Sequence, residues 1–151
     1  MQDLNFPEYQ FRYKKEGENL LIFDSIRKKH VVLTPEEWVR QNMVQFLIHE
    51  KNVPSSLIHI EMSLKYNTLK KRSDIVIFNN LGKPLLIVEC KSPNIAVTQN
   101  VFDQIARYNF TLKVNFLIVT NGIDHFCCKI DFENNNYSFL TEVPNYQDLI
   151  E

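Results

Sequence analysis

Apolar positions in this chain fall into short runs of strand period, broken by two longer stretches of helical period. From Leu57 to Tyr66, Ile58, Ile60, Met62, Leu64 and Tyr66 alternate with more polar residues, which predicts a half-buried strand with Glu61 facing outward. Ile75 to Phe78 and Leu85 to Val88 are too short for helices, are mostly β-branched or aliphatic, and flank the turn-rich NNLGKP, so they predict a hairpin. Val114 to Thr120 is almost wholly apolar and suits a sheet centre covered on both faces. His125 to Asp131 and Tyr137 to Leu140, joined through Asn134-Asn135-Asn136, predict a closing hairpin, with a short helix or frayed tail from Asn145. Near the start, Tyr9 to Lys15 and Leu20 to Asp24 flank Gly17 as a hairpin or a pair of edge strands, and His30 to Leu33 makes a third run.

The first helix is announced by Thr34-Pro35-Glu36-Glu37: Thr34 as N-cap, Pro35 at the first helical position, and Glu37 completing a capping box, with the helix running to about Glu50. On a wheel of 100° per residue, Val39, Met43, Phe46 and Leu47 share a face with Glu36, while Glu37 lies at its edge and Trp38 and Arg40 fall to packing and surface. A second helix starts at Thr98 or Asn100 and ends near Leu112, with Val101, Ile105, Tyr108 and Leu112 as its apolar stripe and Gln104 one step away. The order helix, three strands, helix, strand predicts an α/β fold.

At 151 residues the chain fits one domain, here residues 1–151, with a strand extension over about 1–33 and a core over about 34–131. A domain of this size buries roughly 68–70% of its unfolded surface, enough for a core without disulfides. Its three cysteines are odd in number and two are adjacent, so no disulfide framework is expected and a reducing cytoplasm is the natural compartment. MQDLNFPEYQ has neither the basic nor the apolar region of a secretion signal, and no uncharged run has membrane length, so no membrane partner is expected. The net charge of −1 and pI near 6.4 argue against a generic basic nucleic-acid coat. Two local clusters, Arg27-Lys28-Lys29-His30 and Lys70-Lys71-Arg72, are either solvated turns or a basic rim.

Candidate chemistry concentrates between Lys71 and Pro93, in KRSDIVIFNNLGKPLLIVECKSP. Asp74 opens the first predicted strand, and Glu89 and Lys91 close the second, two residues apart and so on one face; Cys90 points the other way as an inert core thiol. Simple antiparallel pairing brings Asp74 beside Glu89 and Lys91. Such a trio is either a cross-strand ion pair or a cluster able to hold a hard divalent cation and activate water. His125, Cys127 and Cys128 lack the C-x-x-C or second histidine pair of a transition-metal site, His30, His49 and His59 are isolated, and no G-x-x-x-x-G-K-[ST] loop is present.

Asp74 followed by Glu89-Cys90-Lys91 resembles the PD-(D/E)xK nuclease superfamily, and VECKSP is similar to the version at the N-terminus of type I restriction enzyme R subunits (HsdR). In DQIARY, Gln104 and Tyr108 match the Q-x-x-x-Y spacing of the following helix in these nucleases. The resemblance covers about Arg27 to Asp131; Ser73 stands where the family often has Pro. It implies a restriction-endonuclease-like mixed central sheet flanked by helices (an αβββαβ core) with extra N- and C-terminal strands. It further implies Mg²⁺- or Mn²⁺-dependent cleavage of DNA. Asp74 and Glu89 would bind the metal, with the Cys90 backbone carbonyl as a further ligand. Lys91 would orient or deprotonate water, and Glu36, with Glu37 as competitor, would be the helix glutamate. Gln104, a further catalytic candidate, would contact the phosphate or hold Lys91; Tyr108 would brace that helix or touch the nucleic-acid backbone; and Lys71 and Arg72 would meet the nucleic acid. Alternatives are a non-catalytic accessory module of a restriction or defence complex and an RNA-directed defence protein. Other subunits of such a complex are implied partners, and a homodimer would give a duplex its two cuts.

Overall fold

The computed structural model describes residues 1–66 and 69–151, without the side chains of 65–71. A three-stranded antiparallel sheet comes first: β1 (Tyr13–Glu16), β2 (Asn19–Asp24) and β3 (Lys29–Val32). Gly17 turns the first hairpin at φ 60°, where a residue without Cβ carries no steric penalty. β1 begins at Tyr13 rather than Tyr9, because Phe11 leaves strand geometry to pack edge-on against Trp38.

Helix α1 (Pro35–Glu50) begins as the sequence predicts, with the Glu37 amide donating to Thr34 Oγ1 at 3.1 Å. Only half of the capping box forms. Thr34 N–H donates to the Val32 carbonyl instead, which leaves the Glu37 carboxylate for other partners. Val39, Met43 and Leu47 are fully buried, while Phe46 is half-buried against Phe6. The helix is covered on more than one side, since Gln41 and Asn42 are buried as well and Trp38 Nε1 donates to the Gln2 carbonyl.

After a 3-10 turn (Ser55–Leu57) come β4 (Ile58–Tyr66), β5 (Leu69–Phe78), β6 (Pro84–Cys90), α2 (Gln99–Phe110), β7 (Phe116–Thr120), β8 (His125–Asp131), β9 (Asn136–Phe139) and α3 (Tyr146–Ile150). The strands form a six-stranded sheet in the order β4-β5-β6-β7-β8-β9. β6 and β7 are parallel, with α2 as the crossover between them, and the other described pairs are antiparallel. The predicted order of helix, three strands, helix and strand is therefore present, and the fold is of the restriction-endonuclease-like class.

Each central strand feeds two cores. Ile75, Ile77, Leu86, Val88 and Ile118 pack with Val39, Met43 and Leu47 of α1, whereas Ile87, Leu117 and Val119 pack with Phe102, Ala106 and Phe110 of α2. Burial on both faces is why β6 and β7 read as continuous apolar runs. The stripe on α2 is displaced from the predicted one. Phe102, Ala106 and Asn109 turn inward and Tyr108 is 44% exposed, while Ile105 and Leu112 of the expected stripe do pack in or against the α2 core. Two cores meeting at β7 make Ile118→Ala costly. We expect a loss of about 2–5 kcal/mol, measured as a shifted denaturant midpoint; a loss under about 1 kcal/mol would show that β7 is not the shared centre.

Candidate functional site

The β5–β6 ladder stops at Ile75 opposite Val88, and the next rung of the same register sets Asp74 opposite Glu89. Asp74 does not open its strand, as the apolar run suggested, but lies inside β5, whose polar first half pairs with β4 alone. Its carboxylate turns across to β6, where Oδ2 accepts the Cys90 amide at 2.7 Å. On the far side of β6, the Lys91 amide donates to the Thr120 carbonyl of β7 at 2.8 Å, so Glu89-Cys90-Lys91 is pinned from both neighbours.

Cys90 reports the electrostatics of this place. Burial pushes its thiol well up, the negative fields of Asp74, Glu89 and Glu36 push further, and Arg40 opposes them. Three carboxylates and a guanidinium thus lie within electrostatic reach of one buried sulfur, and a thiol so held is not a nucleophile.

The first turn of α1 separates the two glutamates. Glu36 is half-buried, and desolvation raises its pKa; the field of Asp74 adds to the shift, while Arg40 and Lys91 oppose it. Glu36 therefore lies within electrostatic reach of Asp74 and Lys91. Glu37 instead accepts from Arg27 at 3.0 Å and from Gln41 at 3.0 Å.

Arg40 departs from the sequence expectation of a surface residue. It is 6% exposed, its Nη1 donates to Glu61 Oε1 at 2.9 Å, and its Nη2 stands 3.8 Å from Asp74 Oδ1. The helical wheel carried the signal, since Arg40 lies one turn after Glu36 and one before Val44 on the covered side. Glu61, expected to face outward, is likewise drawn in. Its backbone takes φ 54° inside β4, which breaks the alternation: Ile58 and Ile60 serve the α1 core, whereas Leu64 serves the α2 core.

Behind Arg40 the network continues into the N-terminal sheet. Asp24 is fully buried at the end of β2 and accepts the amides of Ile26 and Arg27 at 2.8 Å each, Arg27 Nε at 2.7 Å and Gln41 Nε2 at 2.9 Å. Burial pushes the Asp24 carboxyl up, but the hydrogen bonds from Arg27 and Gln41 outweigh it and hold the group below the usual range.

The remaining predicted residues are placed differently from one another. Gln104 is on the exposed face of α2, and among the described residues no hydrogen bond joins it to Lys91; Tyr108 follows one turn later. The Arg72 side chain is 67% exposed and pairs with Glu61. The Lys71 side chain lies outside the described residues. Ser73, at the position where the resembling family often has Pro, is buried beside Asp74.

Among the described residues no three His, Cys, Asp or Glu side chains form a cage for an ion. Asp74 and Glu89, which one further step of the β5–β6 register would set across from each other, offer two carboxylates only. They suit a small hard cation that keeps several waters and takes one or two carboxylates, as Mg²⁺ does, and not a fully dehydrated metal.

The lowered Asp24 carboxyl ties stability to pH. Its contribution is fully present above the unfolded value of about 3.9 and is lost as pH falls through the folded value. Asp24→Asn should therefore lose stability at neutral pH and show a shallower acid-side decline than wild type in denaturant titrations. Parallel declines in the two proteins would remove Asp24 from the account.

A solved structure described as a fragment of an HsdR subunit of a type I restriction enzyme from Vibrio vulnificus YJ016 is similar over 78% of this chain and 25% of its own, with a TM-score of 0.55 and 20% identity. This likeness shows a shared fold, and the chain spans about a quarter of that protein's length. No curated protein matches the chain. Among the described residues no helix is long and apolar enough to cross a membrane. Residues 35–144, from the first turn of α1 to just before α3, match the model of a protein family, and the chain belongs to that family: Type I restriction enzyme R protein N terminus (HSDR_N).

Proposed function

We propose that this chain is a metal-dependent DNA nuclease domain of a restriction system, hydrolysing phosphodiester bonds at the Asp74–Glu89 rung. Membership of a type I restriction enzyme R family makes it a nuclease-related domain. The observation that supports the finer reading is the convergence of Asp74, Glu89 and Glu36 around Cys90, with Lys91 directly after it.

In this reading Asp74 and Glu89 hold Mg²⁺ or Mn²⁺, and the Cys90 carbonyl is a further ligand. Bound there, the cation would neutralise charge on the phosphate and acidify a water. The Cys90 amide keeps Asp74 Oδ2 turned toward β6, so the carboxylate needs no reorganisation when it is used. Lys91 orients the attacking water and offsets negative charge on the phosphate. Glu36, which keeps its proton to higher pH than an ordinary glutamate, is suited to exchange protons with that water. Gln104, Tyr108, Lys71 and Arg72 would meet the DNA backbone.

DNA, further subunits of a restriction complex and a second copy of the chain are the partners this reading brings, in a reducing cytoplasm that suits three free buried cysteines. One observation favours a non-catalytic accessory role instead: Arg40 stands 3.8 Å from Asp74 Oδ1 and gives that carboxylate a resident counter-ion.

Plasmid cleavage with Mg²⁺ or Mn²⁺ separates the two roles. We expect Asp74→Ala and Lys91→Ala to lose roughly 100-fold or more in rate. Calorimetry should show weaker Mn²⁺ binding in Asp74→Asn and Glu89→Gln. Cleavage unchanged in Lys91→Ala would place the chemistry elsewhere, and no heat of Mn²⁺ binding in wild type would favour the accessory role. An RNA panel run beside the plasmid decides the nucleic acid.

A further inference from the structure

Three guanidinium groups converge on one carboxylate beside the Asp74–Glu89 rung. Arg40 donates to Glu61 Oε1 at 2.9 Å, Arg72 donates to Glu61 Oε2, and Arg27 Nη1 stands 3.8 Å from the same Oε2. The three arginines come from α1, from β5 and from the turn after β2, so local sequence does not explain their meeting. An arginine fork fits the oxygens of a phosphate as well as those of a carboxylate.

The carboxylate is delivered by an unusual backbone. Glu61 sits at φ 54° between residues that stay paired, Ile60 with Ile75 and Met62 with Ser73, so no turn requires the conformation. A non-glycine residue pays for it. The gain is that a side chain which alternation would aim away from α1 reaches the arginines. Glu61 and Asp74 fall between those two pairs, and Arg40 links them, with Nη1 2.9 Å from Glu61 Oε1 and Nη2 3.8 Å from Asp74 Oδ1.

We propose that Arg27, Arg40 and Arg72 form a seat for a backbone phosphate of DNA, which the Glu61 carboxylate fills in the free protein as an internal anion and the phosphate displaces. The inference rests on the reading of the chain as a DNA-acting domain and names where the strand beside the reacting bond is gripped. Charge argues for exchange over addition. Asp24, Glu37, Glu61 and Asp74 set four negative groups against the positive charges of Arg27, Arg40 and Arg72, so a further anion enters as Glu61 leaves. Departure is open to it, since its side chain is 33% exposed and that of Arg72 is 67% exposed.

The test is fluorescence anisotropy of a fluorescein-labelled DNA duplex in EDTA, where no cleavage occurs. Glu61→Gln should bind roughly fivefold or more tighter than wild type, with a salt dependence steeper by about one phosphate contact. Glu133→Gln, the same charge change on the exposed β8–β9 turn, should move affinity far less. Arg72→Ala, an exposed position that does not endanger folding, should weaken binding more than Lys83→Ala and should erase the gain when combined with Glu61→Gln. The seat is overturned if Glu61→Gln binds no tighter than Glu133→Gln, if the gain survives in the Arg72→Ala background, or if neither Glu61→Gln nor wild type binds. Should Glu61→Gln not fold, Arg72→Ala against Lys83→Ala decides alone. A protein that shows these differences yet never cuts with Mg²⁺ sinks the nuclease reading and keeps the seat; one that cuts without them sinks only the seat.

Discussion

Asp74 gives one oxygen to the Cys90 amide, and through that bond a strand register becomes the placement of a charge. A shift of one residue between β5 and β6 would reverse the faces of every side chain on one strand, turning Ile75 and Ile77 out of the α1 core. The apolar packing of the sheet therefore fixes where Asp74 stands against β6. The bond from the Cys90 amide to Asp74 is held in place by the hydrophobic pattern beneath it, which permits no other alignment of the two strands.

The same packing supports a costly polar layer. Arg40 is buried with its Nε 3.5 Å from Glu37 and without a hydrogen bond there, and Glu61 carries backbone strain a few ångströms away. Buried ion pairs repay their desolvation only with excellent geometry, so such a layer is weak evidence of stability. Its members reach from Asp24 in the N-terminal sheet through Arg27, Glu37 and Gln41 to Asp74. The small sheet thus does more than cover α1: it fixes the arginine side of the candidate site.

Some features of the site are visible before folding is considered and others are not. The spacing of Asp74, Glu89 and Lys91 is readable because a hairpin brings its own ends together, a local matter of turn and alternation. The preference for Glu36 over Glu37 comes from the helical wheel; in the structure Glu37 is engaged with Arg27 and Gln41, while Glu36 lies within electrostatic reach of Asp74 and Lys91. The burial of Arg40 is marked on the wheel by its place one turn after Glu36, but its partners Glu61 and Asp74 are not, because they lie on two strands distant in sequence. The α2 stripe is rotated from the expected one: Ile105 and Leu112 do pack in or against the α2 core, but Phe102 and Ala106 take its centre and Tyr108 is left exposed.

By itself, then, the sequence determined the order of helices and strands, the double-sided burial of β6 and β7, and the candidate trio on the β5–β6 hairpin. All of these follow from periodicity and turn chemistry, which act over a few residues. Tertiary structure alone decided that Glu61 faces the arginines, that Arg40 is buried against Asp74, and that Asp24 anchors the network from another sheet. Those placements depend on a single left-handed residue and on contacts between distant segments, and neither leaves a period in the chain.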